Sequence, residues 1–253
     1  MSAINVLEFR TMASPPSKSE SQAACNASLV AASALFAGIP PMQCREIAAV
    51  ARLRVFAQDE ILFMQGHPVR THILVQSGHV KVTQVSSTGR EVLLWMNGPG
   101  ESVCTPAESP SRHACSARAT QRCHALTWED SRFQSILARF PQVNININHM
   151  LCARLSELEQ RFREIATEKV PARLSFALLR LATQLGKPTL GGTEISLSRE
   201  ELAQMIGTTL FTVSRILSKW ADEGFIAPRR NGVVILDSGR LLLAGVESER
   251  IPA

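Results

Sequence analysis

"GTTLFTVSRIL", residues 207–217, decides how this chain is read. Gly207 interrupts the preceding pattern. Val213, Ile216, Leu217 and Trp220 then recur at helical spacing, an apolar stripe made to pack on a core. On the opposite side stand Phe211 and Arg215, four residues apart and so side by side. A helix that turns an aromatic ring and an arginine away from its own core has something else to meet there.

The flanking segments say what kind of unit holds this helix. Upstream, "ISLSREELAQMIG" (195–207) has Ser198 as N-cap and Glu201 three residues on, a capping box, with Leu202, Ala203 and Ile206 on the inner face. Downstream, "GFIAPRRNGVVIL" (224–236) is two apolar strands around an "RRNG" turn, a hairpin. Helix, glycine turn, helix and basic-tipped hairpin make the layout of a winged helix-turn-helix, whose second helix enters the DNA major groove.

On this reading Thr208, Phe211, Thr212, Arg215 and Ser218 or Lys219 face base edges. Arg215 can give guanine two parallel hydrogen bonds, and Phe211 can cover thymine methyls. Thr209, Thr212, Ser214 and Arg199 suit phosphate oxygens, and Arg229 and Arg230 reach flanking backbone from the wing tip. The competing reading rests Phe211 on a neighbouring helix and pairs Arg215 with Glu223 or Asp222. Residues 196–253 hold as many acids as bases, so binding depends on local placement of charge.

Further upstream the period changes. Asn148, Leu151, Leu155, Leu158, Phe162 and Ile165 are spaced 3, 4, 3, 4, 3, a heptad seam on a long helix. Such a seam calls for a partner helix, and its own copy is the simplest, giving a homodimer. The alternative is that it packs back on its own chain. Arg154, Glu157, Glu159, Arg161, Arg163 and Glu164 form the expected solvated flank. "NININ" (144–148) alternates with period two and also reads as a strand. Asn148 is then either a register-setting seam residue or a polar helix entry.

From Leu35 to Trp128 short apolar runs alternate with turn signals. "EILFMQG", "THILVQSG", "HVKVTQV" and "EVLLWMNGPG" read as strands of an antiparallel barrel or sandwich. Residues before about 30 include "TMASPPSKSESQ", rich in Ser, Pro and small residues, and read as a mobile arm. After Val170-Pro171, "ARLSFALLRLATQLG" is a further amphipathic helix closed by Gly186, and "KPTLGGTE" a loop.

Composition adds limits. Hydrophobic content of 45% and charged content of 19% are globular values, while a net charge of +5 and a pI near 9.1 lean towards anionic partners. No apolar run reaches the ~18 residues of a membrane span, and "SLVAASALFAG" (28–38) lies behind charged residues, unlike a secretory signal. Six irregularly spaced cysteines do not suggest an extracellular disulfide framework, so a cytoplasmic protein is expected. Patterns of metalloprotease, nucleophile-elbow or phosphate-loop type are absent, which argues against an enzyme.

In order and spacing, "LFAGIPP", "EILFMQG", "SGHVKV", "GREVLL", "GPGE" and "TVSRIL" resemble the CRP/FNR family of bacterial transcription regulators, from about Leu35 to Gly245. The resemblance implies an α+β fold: an arm (1–33), a cyclic-nucleotide-binding-like β-roll (34–134), a long dimerisation helix (135–167) and a winged helix-turn-helix (168–253). It also implies homodimers on near-palindromic double-stranded DNA, RNA polymerase as a partner, and a switch worked by a small-molecule effector. Many relatives carry a glutamate, reading cytosine, where this chain has Phe211.

The resemblance is weakest at the sensor. Relatives that bind cyclic AMP hold its phosphate with an Arg-Ser pair after a Gly-Glu. Here Gly100 and Glu101 supply the Gly-Glu, but "SRHACSARAT" (111–120) has no such pair, leaving Arg112 or Arg118 as substitutes. Leu158 and Glu159 replace small hydroxyl residues, and a glutamate is unfriendly to an anionic nucleotide. An iron–sulfur cluster would need four thiolates. Cys123 falls near one family position, whereas Cys25 and Cys44 are isolated. A haem-binding relative places a cysteine where Cys104 stands, but its nearby histidine is Pro106 here. His113, Cys115, Cys123 and His124 remain a candidate metal or redox group if a strand pair unites them. No cofactor is assigned.

Overall fold

The computed structural model describes residues 18–103 and 112–247. Residues 1–17 of the expected arm, together with Cys104, Pro106 and Ser111, lie outside them.

The first described element corrects the arm. Lys18–Ala32 is a helix, α1, with Ala27 and Val30 buried against Leu35, Phe36, Cys44 and Ile47. Small residues were read as unable to pack. Alanine is instead the strongest helix former, and short side chains let α1 lie close on α2 (Pro41–Ala49). A 3-10 turn at Ala34–Phe36, capped by Ser33, joins the two.

The roll follows as β1 (Arg52–Phe56), β2 (Ile61–Phe63), β3 (Thr71–Ser77), β4 (Val80–Val85), β5 (Glu91–Asn97), β6 (Ser116–Ala119) and β7 (Cys123–Glu129). They form two antiparallel sheets, ordered β1-β7-β3 and β2-β6-β4-β5. Strand alternation builds two cores at once. Ile73, Val75 and Ala125 face Phe56, Val80 and Val82 inside the roll, while Leu74, Leu126 and Trp128 face the helices outside. At Gly78, between β3 and β4, φ is 85° and a Cβ would stand 2.7 Å from the Arg122 carbonyl oxygen, so only glycine fits.

Helix α3 (Asp130–Arg139) ends at Phe140, whose φ of −123° and ψ of 80° lie outside the helical region that a following proline disfavours. The long helix α4 therefore runs Pro141–Thr167, and not from 135. "NININ" is helical, which removes the strand reading. Asn146 there is buried, its Nδ2 donating to the carbonyl oxygens of Leu35 at 3.0 Å and Ala37 at 2.9 Å.

The C-terminal part contains α5 (Val170–Leu185), β8 (Lys187–Thr189), β9 (Gly192–Ile195), α6 (Arg199–Ile206), α7 (Leu210–Asp222), β10 (Ile226–Arg229), β11 (Gly232–Ile235) and α8 (Ser238–Glu247). "KPTLGGTE" is thus a hairpin rather than a loop, and β9 joins the wing in a sheet ordered β10-β11-β9-β8. Gly186 does end α5, but by close approach instead of a left-handed turn. Its φ is −61°, and a Cβ would meet the Ala182 carbonyl oxygen at 2.2 Å.

Candidate nucleic-acid interface

The helix pair is built from local signals. Ser198 Oγ accepts from Glu201 N, and a Glu201 carboxylate oxygen accepts from Ser198 N, so the capping box of α6 is complete. Gly207 takes the left-handed conformation, φ 68° and ψ 50°, and turns the chain into α7. Thr209 caps α7, its Oγ1 accepting from Thr212 N at 3.2 Å and lying 2.9 Å from Thr212 Oγ1. Two of the three hydroxyls expected at phosphates, Thr209 and Thr212, are therefore already paired with each other.

One side of α7, Val213, Ile216, Leu217 and Trp220, is buried with Leu202, Ala203, Ile206 and Phe225. The other side is open. Phe211 is 78% exposed and rests on no neighbouring helix. Arg215 is exposed and makes no ion pair among the described residues, so the pairing with Glu223 or Asp222 does not occur. Glu223 instead lies 3.8 Å from Lys219, on the exposed surface. Thr208, Thr212, Ser214 and Arg199 are half-buried around the start of the two helices, and Ser218, Arg229 and Arg230 are exposed. Arg229 ends β10, opposite Gly232, at the tip of the wing.

Helix α4 is amphipathic in the reverse sense. Its seam residues Asn148, Leu151, Leu155, Leu158, Phe162 and Ile165 are all exposed, Phe162 by 74%. Of the flank expected to be solvated, Glu159 and Arg163 are exposed, but Arg154, Glu157, Arg161 and Glu164 are where the chain packs on itself, which corrects that part of the expectation. Arg154 Nη2 donates to the Ser102 carbonyl oxygen at 3.0 Å and its guanidinium lies over the Trp95 ring. Arg161 donates to the Leu94 carbonyl oxygen and to Glu157. Glu164, buried, accepts both terminal nitrogens of Arg180 on α5, at 2.6 and 3.0 Å. Residues 154, 157, 161 and 164 are a second heptad-spaced row, legible in the sequence as spacing but not as burial.

The sensor residues do not gather as expected. Gly100 and Glu101 border a cavity of about 240 Å³ between the roll and α4, lined also by Trp95, Ser102, Arg154 and Glu157. Glu101 Oε2 turns back on its own loop, accepting from Gly98 N at 2.8 Å. Arg112 and Arg118 are elsewhere, donating to the carbonyl oxygens of Gly66 and Asp59. The proposed His113, Cys115, Cys123 and His124 group does not assemble: Cys115 and Cys123 share the core of the roll, but His124, next to Cys123 on β7, lies on the other face of the strand. His113 stacks on Phe63, and His124 Nδ1 is 2.9 Å from Ser77 Oγ. Burial raises the Cys123 thiol to about 11, which leaves it an unreactive apolar residue. Among the described residues no set of three or more ligand side chains could hold a metal ion.

A β-roll, a long helix and a winged helix with an open outer face define a two-part DNA-binding regulator. Two family models match the chain: "Crp-like helix-turn-helix domain" over residues 172–243 and "Cyclic nucleotide-binding domain" over residues 53–140. A "CRP-like cAMP-activated global transcriptional regulator" of Mycobacterium tuberculosis is 26% identical over 220 residues, 84% of this chain and 96% of the relative. The "Cyclic AMP receptor protein" of Thermus thermophilus is 29% identical over 196 residues, 77% and 88% of the two chains. The solved structure of FixK2 from Bradyrhizobium japonicum has the same fold, with a TM-score of 0.67 at 23% identity, over 76% of this chain and 96% of its own. The chain belongs to the CRP/FNR family and is a sequence-specific DNA-binding transcription regulator. No described helix is long and apolar enough to cross a membrane.

Proposed function

We propose that the protein works in the cytoplasm as a homodimer on near-palindromic DNA, each α7 reading one half-site and the pair meeting RNA polymerase. The open face of α7 carries this reading: Phe211 and Arg215 are exposed on a helix whose other side is fully buried. Arg215 bonds a guanine edge, Phe211 covers a thymine methyl beside it, and Arg199, Thr208, Ser214, Lys219, Arg229 and Arg230 position the backbone. Thr209 and Thr212 serve as the cap of α7 and offer phosphate the amide groups of its first turn. The seam of α4 is the dimer contact, since it exposes apolar side chains while the polar row is engaged with the roll and α5.

The effector enters at the cavity by Gly100 and Glu101. Its volume, about 240 Å³, is below the ~300–1,000 Å³ usual for drug-sized ligands. The carboxylates of Glu101 and Glu157 line it, and the guanidinium of Arg154 is already engaged by Ser102. These features suit a small uncharged or cationic signal better than cyclic AMP, although the two relatives named above are cyclic AMP proteins by name.

The test selects a binding site from random DNA and compares the parent with Arg215→Ala. Loss of one bidentate guanine contact should cost about 1–3 kcal/mol on the selected site and relax preference at one base pair. A variant that binds all fragments as the parent does would remove α7 from the interface. Cyclic AMP should leave the parent's affinity unchanged.

A further inference from the structure

Where the roll meets the C-terminal domain, one carboxylate serves both. Lys81 Nζ on β4 donates to Glu201 Oε1 on α6 at 3.0 Å, and the two side chains are only 19% and 17% exposed. Oε2 of the same Glu201 accepts from Ser198 N and Ser198 Oγ, each at 2.9 Å, and so closes the N-terminus of α6. The residues forming this joint are 120 positions apart.

The surroundings make it more than a surface ion pair. Leu93 and Met96 of β5 are buried in the same cluster as Leu202, Ala203, Ile206 and Val213 of the helix pair. Gly98, after β5, faces Leu185 at the end of α5; a Cβ added there would be 3.6 Å from that side chain. Burial first, and the charge of Lys187 on β8 second, hold His79 next to β4 below its usual pKa and so uncharged. Arg118, opposite Lys81 on β6, is occupied by the Asp59 carbonyl oxygen. Among the described residues, Lys81 is thus the cation of the roll paired with a carboxylate of the helix pair.

We propose that Lys81 is a positioning residue for DNA reading: through Glu201 it holds α6, and with it α7, at one angle to the roll. This rests on α7 being the DNA-contacting helix. Two reading helices must meet half-sites about 34 Å apart. A head free to swivel loses that freedom on binding, whereas a latched head has lost it beforehand. The coupling runs directly from strand to helix, beside the route through α4.

Three variants of the full chain test it: Lys81→Met, Lys81→Arg and Glu201→Gln, the last keeping a side chain able to cap α6. Each is measured on the parent's selected palindrome, on a single half-site, and by hydrogen exchange of the α6 amides. Lys81→Met and Glu201→Gln should lose about tenfold on the palindrome, within the usual range of coupling between sites. Both should keep half-site binding and exchange faster at α6, while Lys81→Arg restores all three readouts. Parent-like palindrome binding by Lys81→Met, or equal loss on both DNAs, would overturn the proposal. If the parent itself binds neither DNA, the reading of α7 fails, and the exchange at α6 alone then decides the latch.

Discussion

Helices α7 and α4 both leave one face uncovered, and the faces are opposite in kind. The helix α7 buries Val213, Ile216, Leu217 and Trp220 and presents Arg215 with a single ring, Phe211. By contrast α4 turns inward an ionic row, half-buried Arg154, Glu157 and Arg161 and buried Glu164, and presents Leu151, Leu155, Leu158, Phe162 and Ile165. A mostly polar outer face, apolar only at Leu210 and Phe211 in its first turn, matches a surface of phosphates and base edges. A continuous apolar row matches another apolar row. The difference shows why exposure alone assigns no partner: the chemistry of the open face does, together with what the closed face has already satisfied.

The largest effect should come from breaking the closed face of α4. Arg180→Ala strips the bidentate partner from buried Glu164. Gln160 Nε2 still donates to that carboxylate, so the loss should fall at the lower end of the about 3–5 kcal/mol of a broken buried pair, visible as a lower denaturant midpoint. A loss under about 1 kcal/mol would mean that the row is solvated after all.

Next is the open face of α4. Phe162→Glu should leave the monomer folded, because the side chain is already exposed, yet dissociate the proposed dimer in sedimentation by placing like charges across the seam. An unchanged sedimentation coefficient would move the dimer contact elsewhere.

On α7, Phe211→Glu should leave overall affinity within roughly tenfold but change the preferred base beside the guanine of Arg215 from thymine to cytosine, read by site selection. The same selected sequence for both proteins would take Phe211 out of base reading.

The smallest effect lies outside both helices. Burial is the main cause keeping His72, His79 and His113 below their usual pKa, and neighbouring charges add to it at His79 and His113. His72 Nε2 lies 2.8 Å from an Asp130 carboxylate oxygen, which only partly offsets its burial. The unfolded chain therefore binds protons more readily than the folded one. Stability from these groups is present above about pH 6.5 and declines as pH falls, by at most about 1.4 kcal/mol per pH unit for each. Melting followed from about pH 7.5 to about pH 5.5 should show the decline, and a level curve would contradict it.

The reading head was legible because its signals are local. The capping box spans four residues, Gly207 needs only its own backbone, and the apolar stripe of α7 repeats within two turns. Strands β2 to β5 were equally open to reading, since apolar runs and turn residues are neighbours along the chain, whereas β1, β6 and β7 were not singled out. Small residues misled at α1, where composition suggested an arm and packing on α2 made a helix.

What only the tertiary structure decided is whatever depends on residues distant in sequence. The fold sets Gly100 and Glu101 at the cavity by α4 while Arg112 and Arg118 are held at the Gly66 and Asp59 carbonyl oxygens, and strand alternation turns Cys123 into the roll and His124 out towards Ser77. Packing of the roll and α5 turns the charged side of α4 inward, and the meeting of two domains sets Lys81 on Glu201. Helical periodicity states which side chains share a face. Which face is buried follows from the neighbour that covers it, and that neighbour is chosen by the fold.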